Sequence, residues 1–185
     1  MNTDFTNFIT HGVGTSKNRE RMNTNLMNMD TTPKTIFLAD DDDDDREIFA
    51  QSLKLISPGA RLNAFADSSG LIEALHNCNG ALPDLVFLAL NMPMKSGMDC
   101  LAEISADPVL RKLRVAVLST SVNPKNIRDA YRLGASFYAV KPADFNSLSA
   151  LISKIMYHDW QRARERNEFL LDYNPPGFRQ VIWFQ

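Results

Sequence analysis

Two periodicities alternate along this chain. Thr35 to Ala39, Leu85 to Leu90, Val115 to Leu118 and Phe137 to Val140 are short apolar runs bounded by turn-forming or polar residues, the pattern of strands buried on both faces. Arg61 to Phe65 reads as a further, more polar strand. Between these runs the apolar residues fall at helical spacing. Ile48, Phe49, Ser52, Leu53 and Ile56 share a face of a helix over Arg46 to Ile56. Leu71, Ile72 and Leu75 mark a second helix and Gly97 to Ser105 a third. Ile127, Ala130 and Tyr131 mark a fourth; Phe145, Leu148, Leu151, Ile152 and Ile155 mark a fifth.

The punctuation agrees with this division. Ser57-Pro58-Gly59 ends the first helix, and Asp67 or Ser68 can cap the second. Asp107-Pro108 closes the third, Asn123-Pro124 opens the fourth, and Gly134 stops it. Asp144 can cap the last. Strands alternating with helices predict an α/β fold, a parallel sheet covered on both faces. Right-handed crossovers and sequence order favour a doubly wound, flavodoxin-like sheet of five strands in the order 2-1-3-4-5 with five helices. In such sheets ligands bind outside the carboxyl ends of the strands, which directs attention to residues 89–92 at the end of the third.

Three segments are expected. Residues 1–33 are rich in Asn and Thr and lack apolar periodicity, so they read as a disordered tail. Residues 34–159 form the domain. Residues 160–185 form a C-terminal extension in which Trp160 to Asp172 lengthen the last helix, Pro175-Pro176-Gly177 break it, and Phe178, Val181, Ile182, Trp183 and Phe184 make an aromatic end. That end should dock on its own domain, on a partner, or on a second copy in a homodimer.

Composition removes several classes. A formal net charge of −2 gives no basic field for nucleic acid, and the mixed charges of Arg162, Arg164 and Arg166 among acids read as a solvated face. No apolar run approaches the roughly 20 residues of a membrane helix, and the N-terminus lacks a signal-peptide pattern, so a cytoplasmic protein is expected. Cys78 and Cys100 form no C-x-x-C pair and read as reduced thiols in or near the core. His11, His76 and His158 make no catalytic constellation.

The candidate chemistry lies at the strand ends. Asp40 and Asp41 close the first strand, and two adjacent carboxylates there can hold a hard cation such as Mg²⁺. Asp42 to Asp45 extend the acid run to six and read as helix capping and solubility. The words Pro83-Asp84-Leu85 and Leu90-Asn91-Met92-Pro93 flank the third strand; Ser119 ends the fourth; Lys141-Pro142 follows the fifth.

Together these residues resemble the receiver domain of two-component response regulators, over about Thr35 to Asp159, and look most like the stand-alone, phytochrome-associated type. The resemblance implies a Mg²⁺ site made by Asp40, Asp41 and the backbone carbonyl of Asn91. It implies that Ser119 and Lys141 contact a phosphoryl group, that Tyr138 swings inward when Ser119 is engaged, and that the Lys141–Pro142 bond is cis. It implies a sensor histidine kinase or phosphorelay protein as partner, and action by protein contact rather than as an enzyme. At the family's phosphoacceptor Asp this chain has Ala89. A methyl group can neither attack phosphorus nor ligate a metal, so the metal site is weakened with the acceptor. Asp84 cannot substitute, because it lies roughly 16 Å back along the strand at about 3.3 Å per residue. Two readings of Ala89 stand: a pseudo-receiver that is not phosphorylated, or a phosphorylatable Mg²⁺-dependent regulator with its acceptor substituted. A flavodoxin-like nucleotide or flavin binder is a further alternative, disfavoured by acids where a Gly-rich phosphate turn would stand.

Overall fold

The computed structural model describes residues 34–78 and 81–158, and the backbone of Leu170–Asp172. The chain divides into two units, Met1–Thr32 and Pro33–Gln185, and the fold described belongs to the second. Its strands are β1 (Thr35–Ala39), β2 (Arg61–Phe65), β3 (Leu85–Ala89), β4 (Val115–Ser119), β5 (Phe137–Val140) and β6 (Leu170–Asp172). Its helices are α1 (Asp43–Ile56), α2 (Ser68–His76), α3 (Gly97–Ala106), α4 (Pro124–Arg132) and α5 (Phe145–Met156), with a 3₁₀ turn at Leu110–Lys112. The sheet order is β2-β1-β3-β4-β5-β6, every pairing parallel. The predicted order is present, with one strand added at its β5 edge.

Alternation along the strands explains the two helix layers. Ile36, Leu38, Phe87, Leu118 and Phe137 pack with Phe49 and Leu53 of α1 and Leu151, Ile152 and Ile155 of α5. Phe37, Val86, Leu88, Val115, Val117 and Tyr138 pack on the other face with Leu71 and Leu75 of α2, Leu101 and Ile104 of α3, and Ile127 of α4. β3 is buried along its whole length, which is why its sequence lacks polar alternation. The edge strand β2 has no fully buried position, with Leu62 and Phe65 half-buried and the rest exposed.

Helix starts follow the capping rules. Asp42, Asp67, Ser96, Asn123 and Asp144 each accept a backbone N–H from the first turn that follows. Gly134 ends α4 with a φ of +95°, a conformation that side chains strain to adopt.

Three expectations change. Helix α1 begins at Asp43 rather than Arg46, because Asp42 caps it and Asp43, Asp44 and Asp45 fill its first turn, where the helix dipole favours acids. Leu170–Asp172 pair as a strand with Phe137–Ala139 instead of continuing α5, which ends at Met156. The open edge of β5 offers ladder partners that an extended helix would leave unused. Lys141–Pro142 is trans, there being no cis peptide bond among the described residues. The trans form is the intrinsically preferred one before proline. The expected disordered tail at 1–33 and the aromatic end at 178–184 lie outside the described residues.

Candidate functional site

Strand order brings the candidate residues to one end of the sheet. β1 and β3 are the neighbours at which the winding reverses, the place where such sheets form a crevice. Ala39 pairs with Leu88 and Ala89 with Leu118, so Asp40, Ala89 and Ser119 follow one another across the carboxyl ends of β1, β3 and β4. Ser119 pairs with Val140, which puts Lys141 at the end of β5, held there by its N–H donating to the Ser119 carbonyl at 2.9 Å.

From β5 the Lys141 side chain must pass the ends of β4 and β3 to reach β1. Its Nζ donates to Asp40 Oδ2 at 2.6 Å and also to Asp45 Oδ2. Lys141 is 15% exposed at its side chain and Asp40 5%, so the pair is largely shielded. Burial alone would lower the Lys141 pKa; the hydrogen bonds to Asp40 and Asp45 outweigh it and hold it above the ordinary lysine value. The other Asp40 oxygen, Oδ1, accepts the Asp42 N–H at 3.2 Å. Arg46 closes the cluster, donating to the Asp40 carbonyl at 2.6 Å and pairing with Asp43.

On the far side, hydrogen bonds organise the segment after β4. Ser119 Oγ accepts the Ser121 N–H at 3.1 Å. Ser121 Oγ accepts from the Asn123 N–H and from Asn126 Nδ2, at 3.2 and 3.0 Å. Tyr138 is fully buried, and its hydroxyl donates to the Ser121 carbonyl at 2.9 Å. The ring therefore points inward and its hydroxyl ties β5 to this loop.

Between these two networks lies Ala89, buried at the end of β3. The loop that follows returns immediately: Gly97, first residue of α3, donates its N–H to Leu90 O at 2.9 Å. A Cβ at Gly97 would stand 2.0 Å from the Ala89 carbonyl oxygen, so only glycine fits this approach.

The structure thus brings Asp40 and Lys141 into contact and places Ser119 and Tyr138 in one network. Asp41 and Asn91 are exposed beside them. Asp84 accepts the Thr35 N–H at the opposite end of the sheet, away from the site. Among the described residues no group of three or more His, Cys, Asp and Glu is disposed to hold a metal ion. With both Asp40 oxygens engaged and a methyl group at Ala89, this donor set does not fit a divalent cation. Sequence reasoning missed Asp45 and Arg46. The signal was present in the helical turn: with Asp42 as cap, Asp45 sits three residues on and faces back toward the end of β1.

Comparison with known proteins agrees with this architecture. Residues 36–153 match the response regulator receiver domain. The response regulator Rcp1 of Synechocystis is 30% identical over 132 residues, spanning 66% of this chain and 86% of its own. The crystal structure of the phosphorylated cyanobacterial phytochrome response regulator RcpA superposes with a TM-score of 0.63 at 32% identity, covering 67% of this chain and 91% of that one. The Mn²⁺-bound form of Rcp1 superposes with a TM-score of 0.59 at 30% identity, covering 66% and 91%. The chain belongs to the response regulator receiver domain family, the receiver component of two-component signalling.

Proposed function

We propose that this protein is a pseudo-receiver, which acts in a phosphorelay by contact with a sensor histidine kinase or phosphorelay protein and is not itself phosphorylated. The observation that carries the reading is Ala89. Phosphoryl transfer needs a carboxylate oxygen to attack phosphorus while the donor's bond to phosphorus breaks, P–N in a phosphohistidine or P–O in acetyl phosphate, and the end of β3 offers only a methyl group. Asp40 is occupied by Lys141, and Asp84 is at the other end of the sheet. The neighbouring parts support a signalling surface that persists without phosphate. The loop after β4 is already tied by Ser119, Ser121 and Tyr138. Likeness to phytochrome-associated regulators favours a kinase of that class as the partner.

A second reading, a phosphorylatable regulator whose acceptor has been substituted, draws on the retention of Asp40, Ser119, Lys141 and Tyr138. Both readings are addressed by one comparison. The chain and its Ala89→Asp variant are incubated with acetyl phosphate and Mg²⁺, and the intact proteins are weighed. In the variant a carboxylate oxygen would bond to phosphorus as the acetyl phosphate P–O bond breaks and acetate leaves. The chain itself should gain no hydroxylamine-sensitive phosphoryl group, and such a gain would overturn the pseudo-receiver reading. A gain by the variant alone would show that the rest of the acceptor machinery is retained.

A further inference from the structure

We propose that Lys141 is the resident cation of this site: its ammonium group fills the electrostatic role of a divalent metal, and the native chain has no saturable Mg²⁺ or Mn²⁺ site at Asp40. A buried carboxylate needs a compensating charge or it will not stay ionised. Asp40 has one, with Lys141 Nζ at 2.6 Å on Oδ2, and its second oxygen accepts the Asp42 N–H. The same ammonium bridges to Asp45. Arg46 adds a guanidinium against the Asp40 carbonyl and takes Asp43 as its own partner. Asp40, Asp43 and Asp45 of the acid run are thus each tied to a protein cation. A small divalent ion demands near-octahedral oxygen ligation at about 2.0–2.1 Å, and here it would have to displace a salt-bridged lysine before reaching Asp40. The strand order explains why Lys141 reaches so far. On its way from β5 to β1 it passes the end of β3, where Ala89 offers no charge. A carboxylate there would be the nearer partner.

This inference rests on the Lys141 geometry and not on the partner-contact reading, so the two can fail separately. The probe is Mn²⁺, followed in the full-length chain by the loss of the free-ion paramagnetic resonance signal. The native chain should show no saturable binding at roughly millimolar Mn²⁺, and its melting temperature should not move with the ion. Lys141→Met should gain one site per chain, and Asp40→Asn in that background should abolish it. Lys141→Arg, which keeps the cation, should remain silent. One Mn²⁺ bound by the native chain and lost in Asp40→Asn overturns the proposal however the Lys141 variants fold. Failure of a folded Lys141→Met to gain a site overturns it as well. Mn²⁺ binding without acyl-phosphate labelling would sink the lysine proposal and leave the pseudo-receiver reading standing.

Discussion

Replacing Gly97 by alanine should cost this domain a substantial part of its stability, and the reason is local. The added Cβ would meet three backbone atoms: Ala89 O at 2.0 Å, Leu90 Cα at 2.8 Å and Ala89 C at 2.9 Å. Ordinary contact begins near 3.4 Å, so the start of α3 and the end of β3 must part by more than an ångström. Neither side can rotate away, because both are main chain. Overpacking of this kind costs about 1–3 kcal/mol. The Gly97 N–H bond to Leu90 O, 2.9 Å long, would stretch with the movement, adding about 1 kcal/mol. Alanine's better helix propensity returns at most about 1 kcal/mol. The net loss is about 1–3 kcal/mol, against a typical total of about 5–15 kcal/mol. For a domain of this size that lowers the melting temperature by roughly 4–12 °C. Urea unfolding followed by far-ultraviolet dichroism measures it. Gly70→Ala is the control: its Cβ would meet nothing closer than 3.7 Å, so it should be neutral or stabilising by up to about 1 kcal/mol. A Gly97→Ala protein within about 0.5 kcal/mol of the parent would refute the reasoning, since that is the range of an inert surface change.

Other consequences are equally direct. Tyr138→Phe removes only the hydroxyl that bonds Ser121 O; it should cost about 1 kcal/mol and speed amide exchange after β4, and unchanged exchange would contradict the tether. The Asp144 carboxyl is held below its usual 3.8 by the Ser147 backbone N–H it caps. Its stabilisation is therefore present above pH 3.8 and fades as pH falls through the lower folded value, so Asp144→Ala should melt below the parent at neutral pH and converge on it in acid. Burial pushes the Cys100 thiol up to about 11, so a thiol reagent at neutral pH should label the half-buried Cys78 first and Cys100 only on unfolding.

Much of the fold was legible because the rules that build it are local. β2 and β5 lie where the apolar patterning puts them, and the cap residues Asn123 and Asp144 were identifiable from residue type and position alone, while Asp67 was one of two candidates with Ser68. The start of α1 was missed because six successive aspartates carry no apolar period, although they suit a helix N-terminus. β6 was missed because the charged stretch before it reads as helix, while its strand state depends on the free edge of β5, a tertiary fact. At the site, adjacent acids pointed to Asp40, and the resemblance to receiver domains named Ser119, Tyr138 and Lys141. Which acids Lys141 would choose was not legible. That choice depends on the reach of one side chain across two strand ends and on the absence of a nearer carboxylate at Ala89.

The end of β3 should be chemically inert, and the surrounding network should stand without phosphate. The most direct test is the amide spectrum of the isotope-labelled chain, recorded before and after addition of acetyl phosphate and Mg²⁺. The resonances of Ser119, Ser121, Tyr138 and Lys141 should stay in place in the chain as given, while Ala89→Asp should show a second set for those residues that decays as an acyl phosphate hydrolyses. A second set confined to those residues in the chain as given would contradict the account.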